Sequence, residues 1–427
     1  MIRTVLIGLC TLLAAQVHPA LGQPGAYGSV SYGYNQSPLN NYEHISDRLT
    51  QGYIDLHAVR ESPQTRLGAV YVGGLMVFDR FSDRNYYEHS LTCSYTTKLG
   101  ARGRPKRNVV DRAADDTSAA AEEPPATADF GTNAIAFALK GSARHDKSEH
   151  REFNNVGGEF TVAYKPFAGR MNRGSVTGIV GYRSYTYLEE LSNITGALVT
   201  RFGRRLSESL ELGFQVTGGI KYYPSALYDT SLFEAQRTFV ESATGKGKGG
   251  AKLLVPSSKQ ILISPASRRS FQVAPGFYLS GSWPEGSVQS EILYRHNLGT
   301  RTRYLAQYAN TTFLSEDIYN DHFSYAGPEG RVVYRQQLPF GLRSTVNGEA
   351  QKKQFTAPAL DLEGTQIADR RADNRLYVEW ELARSIHIAG DLDLEIALTT
   401  AYLRNQSNDD YNDFSAFSVA TSFGLGF

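Results

Sequence analysis

The sequence predicts an all-β fold, an antiparallel transmembrane β-barrel of about 16 strands, with 14 and 18 as the neighbouring even solutions. Three observations point there. Hydrophobicity arrives every second residue over long stretches, the chain closes on such a stretch, and its start has the layout of an export signal.

The alternation is clearest in "LSESLELGFQVTGGIKYYP", residues 206–224. Leu210, Leu212, Phe214, Val216, Ile220 and Tyr222 share one parity, while Ser209, Glu211, Gln215, Thr217 and Lys221 share the other. Side chains alternate faces along a strand, so the segment has one apolar and one polar side. In a soluble sandwich the apolar side is the core. In a membrane barrel it faces lipid and the polar side lines a lumen. The pattern recurs over 87–99, 193–202, 375–382 and 392–402. Many runs exceed the ~5–6 residues of an ordinary soluble strand and reach the ~10 that cross an outer membrane.

The start of the chain supports export. "MIRTVLIGLCTLLAAQVHPALG" has Arg3 as a positive n-region, an apolar run from Val5 to Ala15, and small residues at Ala20 and Gly22. This is the pattern of a secretory signal peptide over 1–22. The apolar run is too short for a membrane helix. The mature chain, 23–427, then keeps only Cys93, which excludes an intramolecular disulfide.

Composition narrows the class. Lys plus Arg number 44 and Asp plus Glu 43, a balance that argues against nucleic acid as a partner and against a polybasic membrane-surface protein. No mature segment has the long apolar run of a transmembrane helix. No strong domain boundary interrupts the chain.

The C-terminus is the most specific signal. "DFSAFSVATSFGLGF" ends on Phe427, preceded at two-residue steps by Leu425, Phe423, Thr421, Val419 and Phe417. A terminal aromatic closing an alternating strand resembles the targeting signal of Gram-negative outer-membrane β-barrels, porin-like in architecture. The resemblance is to that class, with no closer family identified. It implies residence in outer-membrane lipid, and a barrel-assembly machinery that reads Phe423, Leu425 and Phe427.

Strands are expected near 26–36, 50–60, 66–79, 85–99, 130–144, 151–165, 174–187, 191–203, 207–222, 270–283, 286–297, 321–337, 340–355, 371–384, 389–404 and 411–427. An even count puts both termini in the periplasm. "ESPQT", "KPFAGRMNR", "GRRL", "WPEG", "LPFG" and "RSIH" become short periplasmic turns, whereas 36–50, 224–269, 298–320 and 356–370 become longer external loops. Pro275 weakens its strand. "KQILIS" and "RTRYLAQYANTTF" could supply two further strands. "FNNVGGEFTVAYK" and "FSYAGPEGRVVYR" echo each other, placing Tyr164 and Tyr334 at an inner aromatic girdle. Tyr182, Tyr222, Tyr294 and Tyr402 would form the outer one.

One connection breaks the rule of short periplasmic turns. Residues 101–129, "ARGRPKRNVVDRAADDTSAAAEEPPATAD", have the composition of a disordered low-complexity insertion within the barrel. Its "RGRP" imitates a minor-groove DNA reader, a reading that export disfavours. A tether to peptidoglycan or a partner, or an inert linker, fits better.

Strand parity nominates a lumen wall of Lys98, Glu159, Lys165, Arg183, Arg201, Glu211, Lys221, Glu291, Arg295, Glu329, Arg335, Glu379, Glu381 and Glu395. Lys140, Arg331, Arg343, Glu349 and Asp393 join them. Charges at membrane depth are tolerable only against water or opposite charges. A barrel of about 16 strands is too wide for side chains alone to fill, which favours a hydrated lumen or a folded-in loop. The favoured function is a channel for small hydrophilic solutes with weak charge selectivity. The alternatives are a non-transporting barrel that displays loops for adhesion or anchors an envelope complex, and an outer-membrane hydrolase. G-x-S-x-G, H-E-x-x-H, P-loop and C-x-x-C motifs are absent from the sequence. His145, Asp146, Glu149 and His150 in "HDKSEHRE" read as a solvated external turn rather than a metal site. No enzyme activity, cofactor or metal is therefore expected.

Overall fold

A computed structural model describes residues 23–37, 46–99, 133–168, 172–187, 189, 192–224, 237–240, 253–256, 261–262, 269–298, 304–305, 321–361 and 366–427. Its strands are β1 (Gln23–Asn35), β2 (Asp47–Glu61), β3 (Thr65–Phe78), β4 (Tyr86–Lys98), β5 (Ala134–Asp146), β6 (Asn155–Ala168), β7 (Asn172–Tyr185), β8 (Asn193–Arg205) and β9 (Leu210–Tyr222). After these come β10 (Arg237–Val240), β11 (Leu253–Pro256), β12 (Ile261–Leu262), β13 (Arg269–Trp283), β14 (Gly286–Leu298) and β15 (Tyr304–Leu305). The chain ends with β16 (Tyr325–Leu338), β17 (Leu342–Leu360), β18 (Gln366–Ala389), β19 (Leu392–Ser407) and β20 (Phe414–Gly426).

All but four of these strands close into one antiparallel barrel in sequence order, with β9 beside β13, β14 beside β16, and β20 returning to β1. Closure leaves no free sheet edge along the wall, the condition for strands to cross lipid. The ends with both termini also carry the short turns at 62–64, 206–209, 284–285, Pro339–Gly341 and 390–391, so this is the periplasmic end. The long 100–132 connection leaves and re-enters there, and its neck is closed by Leu99 N–H donating to Asn133 O at 2.6 Å. The signal-peptide and insertion segments themselves, "RGRP" included, lie outside the described residues.

Several expected boundaries are corrected. "RSIH" is no turn: β18 runs on with Ser385 opposite Glu395 and His387 opposite Asp393, and Gly390, at φ +60°, makes the reversal instead. The "KPFAGRMNR" and "GRRL" turns shrink because β6, β7 and β8 continue into them. "HDKSEHRE" is not a loop throughout, since His145 and Asp146 complete β5; the side chains of Glu149 and His150 lie outside the described residues. Among the described residues, "KQILIS" and "RTRYLAQYANTTF" supply β12 and β15, which pair with each other in a two-stranded sheet distinct from the barrel sheet. Pro275 stays within β13. It pairs with Val216 of β9, but the ladder toward β14 skips from Val273 to Gly276, because proline has no N–H to donate.

The expected external loop 356–370 is largely strand. β16 begins at Tyr325, opposite Phe355, and β19 ends at Ser407, opposite Asp373. Above those points, among the described residues, β17 and β18 pair only with each other, as a ribbon beyond the barrel wall. The Asn408 carboxamide covers the ribbon's β18 edge, accepting from Ala372 N at 2.8 Å and donating to Arg370 O at 2.9 Å.

The interior face is fixed by contacts that skip a strand. Arg343 of β17 reaches Glu395 of β19 at 3.3 Å, and Tyr27 of β1 donates to the same carboxylate at 3.4 Å across β20. Only the concave side of a curved sheet brings such residues together. The pairing register then carries one inward parity around the circuit. The opposite parity is apolar and exposed: Leu198, Leu212, Phe214, Phe277, Ile292, Leu398 and Phe423 stand clear of the wall. The apolar face of residues 206–224 therefore looks outward. Tyr182, Tyr222, Tyr294 and Tyr402 lie outward toward the extracellular strand ends, and Tyr164, Tyr334 and Trp283 toward the periplasmic ends.

Candidate functional site: the inward wall

Each of the fourteen nominated residues falls on the inward parity. Glu211, Gln215 and Lys221 alternate with outward Leu212, Phe214 and Ile220 on β9. Lys98 pairs with Ala134, Lys165 with that same alanine, and Glu159 with Lys140. Arg183 lies opposite Gly157, and Arg335 opposite Thr345. Glu379 and Glu381 face Asn347 and Thr345 across the ladder.

The polar groups form several separate networks. In the lower half of β7 to β14, Glu211 accepts from Tyr278 Oη at 3.0 Å and pairs with Arg173 at 3.3 Å. Arg201 donates to Gln215 Oε1 at 2.9 Å and lies 3.8 Å from Glu291, to which Gln215 Nε2 also donates. Nearer the extracellular ends, Arg295 Nε of β14 pairs with Glu329 of β16 at 2.7 Å, its Nη2 reaching the other oxygen at 3.4 Å. On the β17–β19 wall, Arg343 lies 3.8 Å from Glu381, while Glu379 accepts from Asn347 at 2.9 Å and from Tyr377 at 2.5 Å.

Two further clusters form around residues that strand patterning did not nominate. Arg144 pairs with Asp146 at 2.7 Å, lies 3.5 Å from Glu88, and stacks 4.0 Å over the Tyr86 ring. At the extracellular mouth Asp321 takes Lys221 Nζ at 2.9 Å and Tyr223 Oη at 3.2 Å. The short turn after it is held by Gln272 and Asn297, which donate to the carbonyls of His322 and Phe323. This stub of the loop between β14 and β16 thus enters the barrel mouth. Asp55, Arg173 and Arg205 are further inward charges outside the nominated set. Alternation on β4 and β5 does mark Glu88 and Arg144. Nothing local marks Asp321, which sits in a turn.

His145 faces outward, stacked on Tyr87 at 5.1 Å, while Asp146 faces inward, so alternation separates the two. Among the described residues no three His, Cys, Asp or Glu side chains gather as metal ligands. At the seam, Phe427 exchanges backbone hydrogen bonds with Ala26 at 3.0 and 3.1 Å. Phe423, Leu425 and Phe427 are all exposed on the outer face.

No protein-family model matches the chain, and no curated protein matches it in sequence. Among solved structures it is similar to OprD from Pseudomonas aeruginosa, at 11% identity and TM-score 0.40 over 95% of each chain. The outer membrane protein OpdK from the same organism is 10% identical, with TM-score 0.42 over 95% of this chain and 99% of that one. CdiB from Acinetobacter baumannii is 9% identical, with TM-score 0.44 over 95% of this chain and 60% of that one. The class rests on the molecule itself: an even, closed antiparallel barrel with an apolar exterior is an integral outer-membrane β-barrel.

Proposed function

We propose that the barrel is a porin-like channel for small hydrophilic solutes with weak charge selectivity. The observation that carries this reading is a charged inward face in a barrel whose strand number leaves its interior too wide for side chains to fill. The signs are unevenly placed around it. Lys98, Lys140, Lys165, Arg173, Arg183, Arg201 and Arg205 line β4 to β8. Glu349, Glu379, Glu381, Asp393 and Glu395 line β17 to β19, and β19 lies half a circuit from β7. Counter-charges such as Glu159 and Arg343 temper both walls. Discrimination by net charge is then weak, while a solute bearing both charges meets a complementary wall on each side.

The test is single-channel conductance of the refolded chain in a planar bilayer. Stable steps are expected, with similar permeability to small cations and anions. Glu379→Gln/Glu381→Gln/Glu395→Gln should fold and shift the reversal potential toward anions. A correctly folded barrel without conductance would overturn the channel. It would favour display instead, a reading that the projecting β17–β18 ribbon supports.

We also propose that Phe423, Leu425 and Phe427 serve as the signal read by the barrel-assembly machinery. Phe427→Ala keeps the backbone bonds to Ala26, so it separates recognition from closure of the seam. Membrane yield should fall further for Phe427→Ala than for Phe417→Ala. Equal yields would remove the targeting role.

A further inference from the structure

The outer face of the barrel has a charge rule of its own. Where neighbouring barrel strands pair, its charged residues are all cations and lie at the two rims. At the extracellular rim are Arg48, second in β2; Arg269, first in β13; Lys352 of β17; and Arg404 of β19, opposite Ser415 near the start of β20. At the periplasmic rim are Arg60 and Arg204, each next to last in its strand, and Arg384, opposite Leu342 at the start of β17. Each pairs with an outward neighbour: Arg269 with Tyr222, Lys352 with Asn374, Arg204 with Leu212. Every carboxylate on these stretches takes the inward parity instead, Asp47, Glu61, Asp146 and Asp393 at the rims included.

Depth alone does not produce this rule. The low-dielectric middle of the wall excludes both signs, and long Lys and Arg stems can carry their charge out to the interface. At the interface itself, however, carboxylates are tolerated at least as well as cations. Within the paired stretches no carboxylate takes an outward rim position, while Asp79 and Asp413 stand just past the strand ends, beside the Arg48 backbone and the Arg404 guanidinium; a ligand that selects positive charge at the rims accounts for that bias. Lipid phosphates lie at that depth in both leaflets.

We propose that these two rims bind the phosphate groups of anionic lipids, with the arc from β17 through β20 to β2 as the main contact. That arc holds Lys352 and Arg404 one strand apart, with Arg48 nearby at the same rim, and Arg384 and Arg60 below. Arg404 already engages Asp413 at 2.9 Å and shares its guanidinium between that carboxylate and lipid. Arg269 stands 5.9 Å over the Tyr222 ring, which holds its charge at the aromatic girdle. The inference depends on the barrel's membrane orientation and not on transport.

The test counts lipids retained by the folded full-length chain in detergent. Equimolar phosphatidylglycerol and phosphatidylcholine with matched acyl chains are added, and bound lipid is read by native mass spectrometry. Wild-type protein should retain phosphatidylglycerol over phosphatidylcholine by about fivefold or more. Replacing the seven rim cations by Gln should bring the ratio close to one. Exchanging the six arginines for Lys should preserve it, as should the inward control Lys165→Gln. Equal retention of the two lipids by wild type overturns the proposal, whether or not the Gln variant folds. So does an unchanged ratio in the Gln variant. Displacement of phosphatidylglycerol by millimolar inorganic phosphate overturns it too, by assigning the rims to free anions.

Discussion

Gly327→Ala is expected to deplete the folded barrel, although its sequence counterpart Gly157→Ala is expected to spare it. Gly327 has φ +141°, a conformation costly to any residue with a Cβ, and an added Cβ would lie 1.9 Å from the backbone oxygen of Lys352. That oxygen belongs to the neighbouring strand and cannot move without parting β16 from β17. Backbone strain and overpacking together should cost about 3 kcal/mol or more. At Gly157 the nearest atom is Ser142 Oγ, 2.9 Å away at the end of a rotatable side chain, and φ is unremarkable for an L-residue. A cost below about 1 kcal/mol is expected there. Urea unfolding in lipid vesicles, followed by heat-modifiable mobility, compares the two, and equal midpoints would contradict the assignment of strain to β16.

Lysine substitutions along one strand should trace membrane depth. Val216 lies at the middle of β9 and faces outward beside Thr200 and Pro275, so Val216→Lys should destabilise by about 2–4 kcal/mol. Leu212 faces the same way but pairs with Arg204 at the periplasmic rim, and Leu212→Lys should cost no more than about 1 kcal/mol. Thr217→Lys points inward and should be accepted if the lumen is wet. On β16, Val332→Lys should behave like Val216→Lys. A lower unfolding midpoint for Thr217→Lys than for Val216→Lys would mean that the faces are inverted, and similar midpoints would contradict the assignment of faces. Glu329→Lys is no harmless control, despite its inward parity: it replaces the bidentate partner of the well-buried Arg295 with a second cation.

Much of this architecture was legible in the sequence because a barrel writes one rule repeatedly. A two-residue period assigns each side chain on β9 or β20 to lipid or lumen with no knowledge of its neighbours, and an even number of such strands fixes the topology. Turn positions were less legible. "RSIH" is polar at both ends and resembles a turn, yet Ser385, Ile386 and His387 find partners on β19, and a glycine three residues later reverses the chain. Arg173 was lost inside a presumed turn for the same reason. The β17–β18 ribbon escaped because Thr356–Leu360 contains Pro358, and its strand character comes from pairing with β18 rather than from local preference. Asp321 shows the other limit. Its role depends on Lys221, 100 residues earlier in the chain, and no spacing rule links the two.

The neck between β4 and β5 separates two kinds of selection on one polypeptide. Lys98 still pairs with Ala134, and Leu99 still reaches Asn133, so the hairpin is zipped up to the point where the chain departs. The entropy of closing a loop rises only with the logarithm of its length, and each doubling costs about 0.6 kcal/mol. The barrel is therefore nearly indifferent to how many residues hang from that neck, or which ones. An insertion or replacement beyond that neck is then expected to leave the register of the wall unchanged, which makes the neck a splice point for cargo on the periplasmic side.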